Sequence, residues 1–239
     1  MGNLNGKIAL VTGASRGIGY YAALAFAREG AHVIALAKTV GGLEDLDDAI
    51  QKAGGSATLV PLDLMDFDAL DRLGASIDER WGRLDIFLAN AGILGGLSPL
   101  GHIDPKEFDK VMAINVTANW RLARSLDPLL KASTAGRVIL MSSGAAQSCK
   151  PFWGGYSISK AALEALGKTW ANESASTNLK INMFNPGATR TAMRAQAMPG
   201  EDPSTLPHPS EVVEALIPLA SEATSQNGSL FDVKSGKWV

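Results

Sequence analysis

The stretch KIALVTGASRGIG, residues 7–19, constrains this chain most tightly. Ile8, Ala9, Leu10 and Val11 form an unbroken apolar run, the pattern of a strand buried on both faces. Thr12-Gly13 stops that run, and Gly17 and Gly19 follow closely. From about Arg16 to Arg28 the residues Ile18, Ala22, Leu24, Ala25 and Phe26 lie along one broad helical stripe, so strand, glycine turn and helix are contiguous. Such a turn suits a dinucleotide. Glycine lets the backbone approach a pyrophosphate, and the free N–H groups and positive dipole end of the helix face that anion. The spacing is G-x-x-x-G-x-G, not the common G-x-G-x-x-G, and a glycine turn that binds nothing reads the same way.

The remaining chain repeats the alternation. Apolar runs predict strands at 7–12, 31–37, 57–62, 84–89, 136–142, 179–184 and 228–233. Helical patterns fall near 16–29, 42–53, 66–80, 105–131, 157–175 and 209–221. This is the signature of an α/β fold, a parallel sheet with helices on both faces. With 239 residues and 46% hydrophobic content, one large core and one domain over 1–239 are expected. Ser142 to Gly155 and Pro199 to Pro209 break the rhythm, being longer than ordinary connections. Both begin at or after strand carboxyl ends, where open sheets bind ligands, so they are the expected substrate walls, 142–155 and 188–210.

Charge narrows the function classes. The net charge is −2, from 22 basic and 24 acidic residues, with no run of one sign, which argues against a nucleic-acid or membrane partner and for small-molecule chemistry. Cys149, the single cysteine, reads as a loop thiol, rules out an internal disulfide framework and agrees with a reducing compartment. His32, His102 and His208 lack ligand-like spacing, so no metal site is expected. The first strand begins within a few residues of Met1, leaving no room for a signal peptide, and a cytoplasmic location is expected.

Tyr156 and Lys160 stand four residues apart in YSISK. One helical turn puts them on the same face, about 6 Å apart along the axis. A tyrosine that exchanges a proton near neutrality needs its pKa of about 10 lowered by roughly 3 units, ~4 kcal/mol. An ammonium about 4 Å away supplies ~4 kcal/mol at an effective dielectric of about 20. Tyr156 is therefore a candidate acid/base, although Y-x-x-x-K also occurs on solvated helices and Ser142-Ser143 at a strand end also reads as a turn.

TGASRGIG at 12–19, Asp63-Leu64, NAG at 90–92, Asn115, Ser143, YSISK at 156–160 and NPGATRT at 185–191 occur in one order along nearly the whole chain. In these motifs the chain resembles the short-chain dehydrogenase/reductases, and its PGATRTAMR run resembles a bacterial branch of unassigned substrate. The resemblance implies a single Rossmann-type doubly wound domain with a seven-stranded parallel sheet, a nicotinamide cofactor and carbonyl/alcohol redox chemistry. It implies Tyr156 as the proton donor, Lys160 as the group that lowers the tyrosine pKa and holds the nicotinamide ribose, and Ser143 as a hydrogen bond to the substrate oxygen. Ser143 is preferred to Ser142 by the family's interval to the tyrosine. Asn115 would kink its helix and hold a water that relays protons to the lysine.

For the cofactor, the resemblance assigns Gly13, Ser15, Arg16, Gly17, Ile18 and Gly19 to the first turn. Asp63, with Leu64 beside it, would accept from the adenine amino group. Asn90, Ala91 and Gly92 would line the adenosine ribose, and Pro186, Gly187 and Thr189 the carboxamide end of the nicotinamide. NADP(H) is favoured over NAD(H): the place about 20 residues beyond the glycine turn, acidic in NAD-selective folds, is Ala37. Lys38 follows, and Lys38 and Arg16 form a cationic pair with no carboxylate expected beside them.

Trp120 and Trp170 on the two long helices read as core packing or as a subunit interface, and together with Leu129 and Leu130 they exceed what one side of a sheet should absorb, so a homodimer or homotetramer is expected. Cys149, Phe152, Trp153, Met193 and Met198 either form an apolar substrate pocket or pack their loops. The expected C-terminal Gly-Gly is Ser235-Gly236 here, which leaves open how the tail packs, including against a neighbouring subunit. A non-catalytic nicotinamide sensor or interaction subunit is the alternative to an enzyme; such proteins usually lose part of the Asn-Ser-Tyr-Lys set, which is complete here.

Overall fold

The computed structural model describes residues 2–239. Its strands are β1 (Ile8–Thr12), β2 (His32–Ala37), β3 (Ser56–Pro61), β4 (Ile86–Ala89), β5 (Arg137–Met141), β6 (Lys180–Asn185), β7 (Leu230–Asp232) and β8 (Lys237–Trp238). The helices are α1 (Gly17–Arg28), α2 (Val40–Lys52), α3 (Phe67–Trp81), α4 (Pro105–Met112), α5 (Ala118–Ala132), α6 (Ala145–Ser148), α7 (Gly154–Glu173), α8 (Ala192–Ala197), α9 (Pro209–Val212) and α10 (Leu216–Ala220). The sheet order is β3-β2-β1-β4-β5-β6-β7-β8. Strand order reverses at β1, which pairs with β2 on one side and β4 on the other, so a crevice opens above its carboxyl end.

Period-two alternation divides each central strand between two helical layers. Ala9 and Val11 of β1 pack with Ala23 and Phe26 of α1 and Leu46 of α2. Ile8 and Leu10 pack on the other face with Leu70 of α3, Leu122 of α5 and Leu163 of α7. Full burial on both faces explains why β1, β4 and β5 read as continuous apolar runs.

The structure corrects four expectations. Seven strands are parallel, but a short antiparallel β8 makes the sheet eight-stranded. After β7 the chain reverses on Asp232, which accepts from Ser235 N at 2.8 Å through its side chain and from Gly236 N at 2.9 Å through its carbonyl. Gly236 alone takes the left-handed conformation, φ 65°, so a second glycine is unnecessary. The tail thus folds onto its own chain, with Val239 and Leu230 exchanging backbone hydrogen bonds. Second, the helix expected over 105–131 is interrupted by a π turn at Ala113–Thr117, which separates α4 from α5. Third, the helix expected at 209–221 is split by a 3-10 turn at Val213–Ala215. Fourth, Leu129 and Leu130 are core residues and not interface surplus, and of the two readings of Trp170 the core one holds, because α5 and α7 pack on the sheet and its indole N–H donates to Asp127 Oδ1 at 2.8 Å. Trp120 is the member of that set at the surface, 47% exposed. Among the described residues, no helix is long and apolar enough to cross a membrane.

Candidate active site

The glycine turn is held from β4. Asn90 Nδ2 donates to Thr12 O at 2.9 Å, and the N–H groups of Asn90 and Ala91 both reach Thr12 Oγ1 at 3.1 Å. Gly13 and Gly17 have φ of 67° and 58°. A Cβ at Gly19 would be driven into the Gly13 carbonyl oxygen and the Asn90 amide. The Asn90 side chain thus braces the turn and shapes the cradle. Leu64 is buried in the core.

No side chain caps the first turn of α1, and that turn carries no acidic residue. Its N–H groups are therefore directed at the space above Gly13 and Gly17, the donor arrangement that a pyrophosphate requires. The N-terminus of α2 is also free of a side-chain cap and of acidic residues in its first turn, and Lys38 stands just before its N-cap, Thr39. Sequence reading passed over this second helix end, although it begins where the cationic pair was placed.

Lys38 Nζ pairs with Asp63 Oδ2 at 2.7 Å. The expectation of a cationic pair without a neighbouring carboxylate is therefore corrected. The cause is register: Ala37 lies opposite Pro61 across the β2–β3 ladder, so residues just beyond the two strands meet. The Lys38 hydrogen bond, more than that of Met65 N, holds the Asp63 carboxyl below the usual carboxylate range. Arg16, by contrast, is exposed and forms no ion pair among the described residues.

At the carboxyl end of β5 the structure brings Ser143, Tyr156 and Lys160 together. Ser142 donates its hydroxyl to Glu164, whereas Ser143 Oγ accepts from Ala145 N at 3.2 Å and its hydroxyl lies beside the Tyr156 phenol. Tyr156 is buried, with Lys160 Nζ 5.7 Å from its ring centroid. Burial pushes the Tyr156 phenol up and the neighbouring Ser143 hydroxyl pulls it part of the way back. Lys160 is buried beside Tyr156, 3% exposed. Its ammonium donates to Met141 O at 2.7 Å, and burial pushes it down to about 8 against the opposing charge of Glu164.

Asn115 lies in the π turn and exchanges two hydrogen bonds with the Ile93 backbone, accepting from N and donating to O, both at 2.9 Å. Its amide also reaches Ser159 Oγ at 2.9 Å, tying the break in the α4–α5 segment to the helix of Tyr156 and Lys160. Gly92 sits between these groups: a Cβ there would lie 3.2 Å from Asn115 Oδ1 and 3.5 Å from Lys160 Nζ. Glycine keeps that space open.

Asn185 was missed as a separate residue, although it opens the NPGATRT run. Its Oδ1 accepts from Gly144 N and Gly187 N, each at 3.1 Å, and its Nδ2 donates to Asp232 Oδ2 at 2.7 Å. One side chain therefore joins the Ser143 loop, the Pro186-Gly187 turn and the C-terminal hairpin. Thr189 is buried and donates to Pro186 O at 3.3 Å, while Thr191 approaches the first turn at Gly17. Around Tyr156 lie Leu94, Ala145, Ala197, Trp153 and Met193, all apolar.

A sequence model of the short chain dehydrogenase family matches residues 7–202. The oxidoreductase YciK of Escherichia coli strain K12 is 37% identical over 238 residues, 98% of this chain and 94% of that protein. An NAD-dependent oxidoreductase of Mycobacterium tuberculosis is 35% identical over 206 residues, 80% of this chain and 74% of that protein. A short chain dehydrogenase structure from Shigella flexneri, complexed with NADP, superposes with a TM-score of 0.93 at 37% identity, covering 97% of this chain and 98% of that one.

Proposed function

The chain belongs to the short-chain dehydrogenase family and is an oxidoreductase, and on that premise we propose that it interconverts a carbonyl and an alcohol on a small, uncharged, predominantly apolar substrate with NADP(H). The observation that carries this reading is the meeting of Ser143, Tyr156 and Lys160 above β5, beside the open space at Gly92.

The cradle fits a nicotinamide dinucleotide. The turn at Gly13, Ser15, Arg16, Gly17, Ile18 and Gly19 would hold the pyrophosphate at the uncapped α1 N-terminus. Lys160 would hold the nicotinamide ribose, Ala91 and Gly92 beside Asn90 would line the adenosine ribose, and Pro186, Gly187 and Thr189 would lie against the carboxamide. When bound, a reduced nicotinamide supplies the hydride that adds to the carbonyl carbon. Tyr156 Oη gives its proton to the carbonyl oxygen, and Ser143 Oγ donates a hydrogen bond to that oxygen as its charge develops. The Lys160 ammonium stabilises the phenolate left behind, and Asn115 fixes the helix break that sets its surroundings.

NADP(H) is supported by Lys38 at the uncapped α2 N-terminus, by Ala37 where an acidic residue would repel a 2′-phosphate, and by the NADP bound in the Shigella flexneri relative. The NAD-dependent mycobacterial relative stands on the other side. The exposed Lys38–Asp63 pair is worth only about 0–1 kcal/mol, so a phosphate can take over Lys38 at little cost.

Substrate walls formed by residues 142–155 and 188–210, within one domain over 1–239, support the apolar class. Side chains around Tyr156 are apolar, and Arg194 and Glu201 in the second wall neutralise each other through two hydrogen bonds of 2.5 and 2.6 Å. The test is NADPH and NADH oxidation with 2-decalone and 1-tetralone beside dihydroxyacetone and glyoxylate. The cyclic ketones with NADPH should give kcat/KM at least ~10-fold higher, the difference of a few buried methylenes. Preference for the hydrophilic carbonyls would contradict the apolar class.

A further inference from the structure

We propose that Glu164 is a positioning residue that acts through Ser143, a buried strut fixing the loop after β5 against the helix of Tyr156 and Lys160. The proposal rests on the reading of Ser143, Tyr156 and Lys160 as the reacting site.

Glu164 follows Lys160 by one turn of α7 and lies on the same side, yet it is buried, 8% exposed, where a helix glutamate ordinarily reaches water. A carboxylate in such a place requires donors, and two are present. Ser142 donates its hydroxyl to Oε1, and Gln147 Nε2 reaches Oε1 at 2.7 Å and Oε2 at 2.9 Å. These partners stand on either side of Ser143. Ser142 precedes it directly and is fixed in turn by its N–H to Phe184 O at 2.8 Å. Gln147 lies on α6, whose first residues donate from Ala145 N to Ser143 Oγ at 3.2 Å and from Ala146 N to Ser143 O at 3.0 Å. Both flanks of Ser143 are therefore tied to one side chain of α7. An apolar residue at 164 would fill the volume but leave the Ser142 hydroxyl without an acceptor and α6 without its tether.

The tether matters because Ser143 must meet the same substrate oxygen as Tyr156, which α7 carries. Two groups on different elements converge only if those elements hold a fixed separation, and sub-ångström errors in such placement are costly to rate. Glu164 touches neither substrate nor cofactor in this account, so its removal should lower turnover while leaving cofactor binding alone.

The test combines crystal structures with kinetics. Glu164→Leu should move Ser143 Oγ by more than about 1 Å relative to Tyr156 Oη, a displacement large enough to separate the two groups. With 2-decalone and NADPH, it should reduce kcat about 10-fold or more, while the NADPH Kd from fluorescence titration changes less than about 2-fold. In a Ser143→Ala background the same change should cost less than about 2-fold further, because the residue through which it acts is already gone. Glu164→Gln, which keeps an acceptor for Ser142 but removes the charge that holds Lys160 up, should recover most of kcat when assayed at about pH 6, where Lys160 stays protonated. Should Glu164→Leu fail to fold, Gln147→Ala at an exposed position serves the same comparison. An unmoved Ser143, or equal fractional losses of kcat with and without the Ser143 hydroxyl, would overturn the proposal. If the native protein turned over no carbonyl at all, the proposed function would fail while the crystallographic comparison still decided the role of Glu164.

Discussion

Lys38 and Asp63 form an ion pair of 2.7 Å across the ends of two neighbouring parallel strands. On the NADP(H) reading proposed above, Asp63 occupies the cation that would meet the 2′-phosphate, and cofactor selectivity would be a competition between a carboxylate and a phosphate for one ammonium. The phosphate carries the larger charge and brings the α2 N-terminus into play, so it should win.

Charge reversal at this end should therefore change cofactor preference. Lys38→Asp is expected to weaken NADPH binding by ~10-fold or more, and the double variant Arg16→Glu/Lys38→Asp to abolish the preference over NADH. Fluorescence titration with both reduced cofactors measures it. Equal or tighter NADH binding by the native protein would contradict the assignment.

A second prediction concerns pH. Burial lowers the Lys160 ammonium to about 8 from the ordinary 10.5, so the folded protein releases this proton as pH rises through about 8. If the ammonium serves the reaction, kcat/KM for reduction declines above about pH 8, since that parameter reports the free enzyme. Lys160→Arg, which stays charged, should remove this limb even at reduced activity. The linkage sign is opposite for stability: between about 8 and 10.5 the unfolded chain holds the proton and the folded one does not, so this group's contribution rises with pH. A kcat/KM profile flat to pH 10 would count against the role of Lys160.

The first turn gives a structural prediction. Gly19→Ala pushes a methyl into the Gly13 carbonyl and the Asn90 amide and should cost ~1–3 kcal/mol of stability while weakening both cofactors. Thermal unfolding and cofactor titration check it, and an unchanged melting temperature with native affinity would show that the turn is looser than described.

How much of this was legible in the sequence depends on the range of the interaction. β1, β4 and β5 announced themselves as continuous apolar runs because they are buried on both faces, and the glycine turn because its φ values leave few alternatives. The break at Asn115 was legible only through the family resemblance and not from the helical pattern, since it is set by the Ile93 backbone 22 positions away. Glu164 could not be read, since its partners lie 17 and 22 residues off and its sequence neighbours suggest an ordinary helix surface. Register across strands, invisible in a linear pattern, placed Asp63 on Lys38. Apolar content misled at Leu129 and Leu130, where helix packing on the sheet consumed residues assigned to a subunit interface.

Trp120 remains the basis for self-association, with the Arg124 guanidinium 5.1 Å from its ring and Ile158 of α7 also exposed. We expect a homodimer or homotetramer built on the outer faces of α5 and α7, with Trp120→Glu shifting it towards monomer. Light scattering at micromolar concentration should give a multiple of 25.0 kDa for the native chain. A monomeric mass would remove the proposal.

The central claim, that Tyr156 supplies the proton in a nicotinamide-dependent carbonyl reduction, is tested most directly by NADPH oxidation with the best cyclic ketone, native protein beside Tyr156→Phe. Phenylalanine keeps the ring in its apolar surroundings and removes only the donor. Turnover should fall by at least ~10²-fold, the lower range for loss of a general acid, with the NADPH Kd within about 2-fold of native. Retention of most activity by Tyr156→Phe would contradict the account.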